Sequence, residues 1–195
     1  FKVLAIGPGL GRSVHTMDEV RHVVASADLP VVIDGDALHA IDERLISSRS
    51  APTILTPHDG EFTALVGVAP DDDRIDAART LARRSGAVVL LKGPTTVIAD
   101  PSGEVVLVDH GDERLATAGS GDVLTGVVTG AVSGGAVPFE AASMAAWMCA
   151  EAGRHAPRHG AVASDVLAAV PGVLDDLIDD EHDDARCPTG QNVER

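Results

Sequence analysis

The chain has 195 residues, of which 45% are hydrophobic, and its 30 acidic and 15 basic side chains give a net charge of −15. That length and apolar content suffice for one compact domain with a sizeable core. A surface this acidic repels nucleic acid and anionic membranes, and no apolar run is long enough to span a bilayer. We therefore expect a globular protein that binds neither nucleic acid nor membrane.

The cysteine content and the ends of the chain also constrain the prediction. The two cysteines, Cys149 and Cys187, form no C-x-x-C pair and no disulfide framework, which is typical of a reducing compartment such as the cytoplasm. The chain opens at Phe1 on an apolar run, with no start methionine or signal-peptide pattern. We expect a domain over residues 1–178 that is incomplete at its N-terminal side, followed by an acidic, disordered tail over residues 179–195.

Apolar runs and turn residues predict strands that alternate with helices. In chain order the pattern predicts a strand at 2–6, a helix over 20–27, a strand at 31–33, a short helix at 37–46 and a strand at 53–55. A helix around 75–82, a strand at 87–91 and a hairpin at 95–99 and 104–108 follow. Three further helices are predicted to start near 123, 138 and 164. This alternation implies an α/β fold with a mostly parallel sheet covered on both faces. Ligands of such folds bind beyond the carboxyl ends of the strands.

The sequence AGSGD at residues 118–122 precedes the first of the last three predicted helices. Glycines let a phosphate approach the backbone, and the N–H groups at a helix N-terminus attract anions. Asp122, at the start of the helix, could take a proton from an attacking hydroxyl group. The alternative is a plain N-cap, in which Asp122 only accepts hydrogen bonds from the backbone.

The sequence GPGLG at residues 7–11 follows the first strand and imitates a dinucleotide-binding fingerprint. The third glycine of G-x-G-x-x-G would stand where Arg12 is, which disfavours a Rossmann nicotinamide site and leaves a tight turn as the alternative. Asp34 and Asp36 follow the second strand. They could orient a magnesium-bound phosphate or a substrate hydroxyl, or they could form a polar strand end and a helix cap.

Two further strand ends carry polar residues. His58, within TPHDGE at 56–61, could donate a hydrogen bond to a substrate, or it could lie in a capping turn. Lys92, one of only two lysines in the chain, begins KGPTT at 92–96. It could supply the counter-charge for nucleotide phosphates, or it could pair with a carboxylate in a hairpin turn.

Six sequence blocks, taken together and in this order, resemble the NAD(P)H-hydrate dehydratases. The blocks are IGPGLG at 6–11, DGDAL at 34–38, TPHDGE at 56–61, LKGPTT at 91–96, LATAGSGDVLTG at 115–126 and ASDVL at 163–167. The resemblance implies a ribokinase-like, three-layer α/β/α fold. It also implies a carbon–oxygen lyase that restores hydrated NADH or NADPH, by phosphorylating the ring hydroxyl with ADP or ATP and then eliminating phosphate.

The resemblance also implies roles for individual residues. Asp122 would be the catalytic base and would contact the substrate, and Gly11 and His58 would line the substrate site. The residues implied to contact the adenine nucleotide are Lys92, Gly93, Pro94, Thr95, Thr96 and Gly121. Mg²⁺ would bridge the nucleotide phosphates, with no metal-binding side chain assigned. A homotetramer, and fusion to or cooperation with an NAD(P)H-hydrate epimerase, are also implied.

Two other functions remain compatible with these blocks. A ribokinase-like kinase of a small vitamin-precursor alcohol would share Gly121 and Asp122 but would keep the phosphate on its product. A non-catalytic nucleotide-binding module is the third possibility, and the intact Asp122 disfavours it. The chain departs from the family at Asp59, where Pro is usual, and near Asp112, where Asn is usual.

Overall fold

A six-stranded sheet forms the centre of the molecule in the computed structural model, which describes residues 1–70 and 72–184. Its strands follow each other in sequence order across the sheet. The first four are parallel to one another, the fifth is antiparallel to the fourth, and the sixth is antiparallel to the fifth. The strands are β1 (Leu4–Ile6), β2 (Val31–Ile33), β3 (Thr53–Leu55), β4 (Val88–Leu91), β5 (Thr96–Ala99) and β6 (Val105–Val108).

Within the described residues, seven α-helices connect or follow these strands. They are α1 (Val14–Ser26), α2 (Glu43–Ser47), α3 (Asp59–Val66), α4 (Arg74–Ser85), α5 (Ser120–Gly134), α6 (Pro138–His155) and α7 (Ala163–Asp184). Two short 3₁₀ turns cover Gly35–His39 and Glu113–Leu115. Side chains at the starts of three helices explain where they begin: Ser13, Asp42 and Asp73 each accept a hydrogen bond from a backbone N–H of the first turn.

The core lies on both faces of the sheet. Val31 and Ile33 of β2 pack with α1, α3 and α4 on one face, while Val32 packs with α5 and α6 on the other. This alternation follows from the period of two residues in a strand. Helix α7 packs outside α5 and α6 through Val166 and Val173. The predicted α/β architecture, with a mostly parallel sheet between two helical layers, is confirmed.

Two predicted helices differ from those observed. The single helix expected at 37–46 is a 3₁₀ turn followed by the separate helix α2, because Asp42 adopts an extended conformation and caps a new helix through Leu45. The last helix continues through Pro171 to Asp184, beyond the boundary expected at residue 178. Residues 185–195 of the expected tail lie outside the described residues. No helix in the described part of the chain combines the length and the apolar character needed to cross a membrane.

The parallel strands place four of the sequence blocks at one edge of the sheet. Gly7, Asp34, Thr56 and Lys92 each directly follow the carboxyl end of a strand. Helix α5 begins at the same edge, since a Cβ atom placed on Gly121 would lie 3.4 Å from Nζ of Lys92. The fold therefore brings the start of α5 to the strand ends, as ligand sites in open α/β sheets require.

Candidate active site

A cavity of about 780 Å³ lies at this edge of the sheet. One part of its wall is polar and includes Asp34, His58, Glu61, Lys92 and Asp122. The other part is apolar and is formed by Val108, Leu115, Leu124, Ala146, Cys149 and Ala150. A concave site with an apolar wall and a few converging polar groups suits a small organic ligand that carries charge.

The N-terminus of α5 opens into this cavity. Gly119 precedes the helix with φ +91°, in the left-handed region that glycine tolerates, and no side chain caps the helix. Ser120 also lines the cavity, but its hydroxyl donates to the carbonyl of Leu115 at 2.6 Å and does not cap the helix. Helix geometry leaves the N–H groups of Gly121 and Asp122 without acceptors inside the helix. These N–H groups and the helix dipole make this end of the cavity attractive to an anion.

Asp122 is an exposed residue in the first turn of α5, and it lines the cavity. It is not the N-cap, since Gly119 occupies that position and no side-chain capping bond is made. The plain capping alternative for Asp122 is therefore not what this helix uses. A carboxylate beside a helix N-terminus that binds an anion can accept a proton from a hydroxyl that attacks a phosphoryl group.

Lys92 lies between two buried carboxylates. Its Nζ is 2.8 Å from Oδ1 of Asp34 and 3.4 Å from Oε2 of Glu61. The second carboxylate oxygen of Asp34 accepts a hydrogen bond from the hydroxyl of Thr125 at 2.8 Å. The pairing with carboxylates that was the alternative for Lys92 is thus present, yet Lys92 still lines the cavity beside the start of α5.

His58 forms the capping turn that the sequence allowed as the alternative to a contact with substrate. It is the N-cap of α3, where its Nδ1 accepts from the N–H groups of Gly60 at 2.9 Å and Glu61 at 3.3 Å. Glu61 completes the capping box by accepting from the N–H of His58 at 2.8 Å. The His58 side chain is more than half exposed and lines the cavity, and its Nε2 lies 3.4 Å from Oε1 of Glu61. Its assignment to a substrate site stays a prediction.

Two of the residues assigned by resemblance lie apart from the cavity lining. Thr95 is not among the lining residues, whereas Lys92, Gly93, Pro94 and Thr96 are. These assignments to a nucleotide site stay predictions, as does that of Gly121, which lines the cavity.

Gly11 also lies outside the lining, in a loop that is held by Asp36. The N–H of Gly11 donates to Asp36 at 2.9 Å, and Nε of Arg12 does so at 2.6 Å. The hydrogen bond from Arg12 and that from the Gly11 backbone hold the pKa of Asp36 below its usual range. Asp36 thus fixes the glycine loop, and the assignment of Gly11 to a substrate site stays a prediction.

Two arginines fix loops around the cavity beside the positions that depart from the family. Arg74 pairs with Asp59 at 2.5 Å and donates to the carbonyl of Lys92 at 2.9 Å, so it anchors the start of the β4–β5 loop. Arg114 pairs with Asp112, and this hydrogen bond holds the pKa of Asp112 below its usual range. Arg114 also donates to two carbonyls at the C-terminal end of α6. Neither arginine was singled out by the sequence.

Cys149 belongs to the apolar wall, and its reactivity is a direct test of that placement. Burial raises the pKa of its thiol to about 12, so the thiol stays protonated near neutral pH, and the thiolate is the reactive form. We expect a thiol-specific reagent to label Cys149 in the folded protein at least about tenfold more slowly than after denaturation. A Cys187→Ser background isolates the signal, and equal labelling rates in the two states would contradict this burial.

Comparison with known proteins identifies the family. A family model described as NAD(P)H-hydrate dehydratase matches residues 1–170 of the chain. The chain belongs to the NAD(P)H-hydrate dehydratase family. The resemblance inferred from the six blocks is thereby confirmed, and so is the family's fold.

Among the relatives of this dehydratase-family chain is the bifunctional NAD(P)H-hydrate repair enzyme Nnr of Mycobacterium tuberculosis, with 49% identity over 125 residues. That match covers 63% of this chain and 26% of the relative. A structure of the ADP/ATP-dependent NAD(P)H-hydrate dehydratase of Bacillus subtilis, co-crystallised with ATP and Mg²⁺, superposes with a TM-score of 0.80 at 33% identity. It covers 90% of this chain, which spans 64% of that protein.

A hydroxyethylthiazole kinase from Pyrococcus horikoshii shares the fold, with a TM-score of 0.65 and 20% identity. The match covers 86% of this chain and 69% of the kinase chain. At that identity the likeness concerns the fold alone. A ribokinase-like superfamily protein from Enterococcus faecalis shares the same fold, with a TM-score of 0.76 and 23% identity. That match covers 89% of this chain and 63% of the other. Both likenesses are consistent with the ribokinase-like architecture expected from the sequence.

Proposed function

We propose that this protein dehydrates (6S)-NAD(P)H hydrate back to NAD(P)H with ADP or ATP as the phosphoryl donor. The observation that carries the proposal is the uncapped N-terminus of α5, which opens with Asp122 and Lys92 into one cavity. An anion-binding helix start beside a carboxylate is what transfer of a phosphoryl group to an alcohol needs. Membership of the dehydratase family supports the substrate.

The proposed chemistry has two steps. The terminal phosphoryl group of the nucleotide moves to the hydroxyl oxygen of the hydrated nicotinamide ring, and Asp122 accepts the proton of that hydroxyl. The phosphate then leaves with the electrons of the carbon–oxygen bond. Loss of a proton from the neighbouring ring carbon restores the double bond. The N–H groups of Gly121 and Asp122 would stabilise the negative charge of the transferring group.

The two parts of the cavity suit the two ends of an adenine nucleotide. The apolar wall around Leu115 and Cys149 can take the base, and the polar end with Lys92 and Gly121 can take the phosphates. Lys92, Gly93, Pro94, Thr95 and Thr96 are the proposed contacts of the nucleotide. Gly11 and His58 are the proposed contacts of the hydrated dinucleotide.

Mg²⁺ fits this cavity as an ion carried by the nucleotide. Within the described residues no group of three or more His, Cys, Asp or Glu side chains could hold a metal. Asp34 and Glu61 are already engaged by Lys92. Mg²⁺ often relies on substrate phosphates together with few protein ligands, so it would neutralise the phosphates here without a cage of side chains.

The setting of the protein is also part of the proposal. The chain has two cysteines and no C-x-x-C pair, which suits a reducing compartment and points to the cytoplasm. The relatives are bifunctional repair enzymes, which supports fusion to, or action beside, an NAD(P)H-hydrate epimerase. We propose a homotetramer as the assembly.

The test uses the full-length protein with Mg²⁺, hydrated NADH or NADPH, and ADP or ATP. We expect the near-ultraviolet absorbance of the reduced nicotinamide to return only when nucleotide is present, with release of one phosphate for each dinucleotide restored. A phosphate retained on an alcohol would instead identify the small-molecule kinase. Nucleotide binding with no turnover of either kind would identify a non-catalytic module.

A further inference from the structure

The side chain of Asp34 has an unusual set of partners for a residue at its position. Asp34 is the N-cap of a 3₁₀ turn, but its carboxylate makes no capping bond to that turn. The residue is 2% exposed, and its two oxygens bind Lys92 and Thr125 instead. A buried carboxylate costs free energy unless it is paired and hydrogen-bonded, so these two bonds account for how the charge is tolerated.

Thr125 connects this carboxylate to α5. It is 3% exposed and lies one helical turn after Gly121, on the side of α5 that faces the sheet. Its hydroxyl donates to Oδ2 of Asp34 at 2.8 Å, while Lys92 donates to Oδ1 at 2.8 Å. The end of β2, the end of β4 and the first turns of α5 are therefore joined through one carboxylate.

The geometry leaves part of the Lys92 ammonium group free for a ligand. An ammonium group has three donors, and here one is used by Asp34 at 2.8 Å while Glu61 is more distant at 3.4 Å. The Nζ atom lies beside Gly121, whose N–H is at the open start of α5. A lysine side chain is flexible, and ordering it costs conformational entropy. If the protein already holds the side chain in place, ligand binding does not have to meet that cost.

We infer that Asp34 and Thr125 are positioning residues that hold the ammonium group of Lys92 at the start of α5, where it meets the phosphates of the nucleotide. The inference rests on the proposed function for the identity of that ligand. Asp34 and Thr125 act through Lys92 and do not themselves touch the nucleotide. Glu61 restrains the same ammonium group from the other side and is the partner it can release when a phosphate binds.

A double-mutant cycle in the full-length protein tests whether Thr125 acts through Lys92. The readout is the dissociation constant of ADP with Mg²⁺, measured by titration calorimetry up to millimolar nucleotide. We expect Thr125→Val, which keeps the side-chain shape, to weaken ADP binding about tenfold, and Lys92→Gln to weaken it about a hundredfold. Adding Thr125→Val to Lys92→Gln should then change the affinity by less than about twofold.

Two controls separate positioning from general damage. Thr129→Val removes a hydroxyl one turn further along α5 that bonds only to the backbone of its own helix, and we expect ADP binding to stay unchanged. Asp34→Asn keeps an acceptor for Lys92 but removes the charge, and we expect weaker ADP binding in a variant whose folding is checked by urea unfolding without nucleotide. The inference would be overturned if Thr125→Val weakened ADP binding equally in the wild-type and the Lys92→Gln backgrounds. It would also be overturned if Thr125→Val did not weaken ADP binding at all.

The outcome also stays separate from the proposed function. Wild-type protein that restores no reduced nicotinamide, while the ADP cycle behaves as expected, would overturn the dehydratase proposal and support the positioning role. Wild-type protein that is active, with an additive cycle, would overturn the positioning role alone.

Discussion

Replacing Asp122 by Asn should lower the rate of nucleotide-dependent dehydration by about a thousandfold. The amide has the size of the carboxylate but cannot accept the proton of the attacking ring hydroxyl. Asp122 is exposed and does not cap α5, so the variant should fold normally. Its ADP affinity should stay within a few-fold of wild type, because the backbone N–H groups at the start of the helix are unchanged. Initial rates and calorimetric ADP binding measure the two quantities.

The matched control for this prediction is Asp76→Asn. Asp76 is also an exposed aspartate in the first turn of a helix, but it lies in α4 and does not line the cavity. We expect its activity to equal that of wild type. Asp122→Asn with more than a tenth of the wild-type rate would show that another group is the base and would remove the central catalytic assignment.

The sequence predicted the sheet well because its central strands are unambiguous. Val31–Ile33 and Thr53–Leu55 are buried on every residue, so their apolar runs stand out between turn residues. The hairpin of β5 and β6 was likewise predicted from apolar runs around the turn near Gly103, and antiparallel pairing is observed. Helix boundaries were less predictable. The break at Asp42 depends on the hydrogen bond that the Asp42 side chain accepts from the N–H of Leu45. The sequence does not show whether this cap or a continuous helix is the more stable over these few residues.

The location of the cavity was also predictable, because the ends of parallel strands meet at one edge of a sheet. That rule brought Asp34, His58 and Lys92 together, and the glycine loop before Asp122 indicated the anion end. The contacts among these residues were not predictable. Nothing in the local sequence tells which carboxylate pairs with Lys92, and Thr125 looks like one more residue of an apolar helix. Such pairings depend on distances between elements that lie far apart in the chain.

The site also shows how the chain arranges charge inside a strongly acidic protein. Asp34 and Glu61 lie on either side of Lys92, and Arg74 and Arg114 each hold one aspartate and one or more backbone carbonyls at the cavity rim. The acidic groups nearest the cavity are therefore mostly engaged by cations. Asp122 is an exposed carboxylate beside the start of α5, as a general base beside a phosphoryl group needs to be.

Gly7→Ala should destabilise the protein more than most single substitutions, by about 3 kcal/mol or more. Gly7 is buried between β1 and the start of the glycine loop, and its φ of +137° is disfavoured for other residues. A Cβ atom there would lie 1.6 Å from the backbone carbonyl oxygen of Asp34. Backbone cannot move aside as a side-chain end can, so β1 and the Asp34 turn must separate. The free energy of unfolding, measured in urea, reports this cost.

Gly9→Ala is the matched control, in the same loop and also with a positive φ, of +69°. No atom lies within 4 Å of a Cβ placed on Gly9, so only the backbone strain remains, at about 1–2 kcal/mol. Equal losses in the two variants would contradict the close approach of Gly7 to Asp34. If the approach is as described, Gly7→Ala also displaces the turn that carries the Asp34 carboxylate. Because the position of the Lys92 ammonium group depends on the Asp34 carboxylate, Gly7→Ala should then weaken ADP binding even where the protein remains folded. Gly9→Ala should leave ADP binding unchanged.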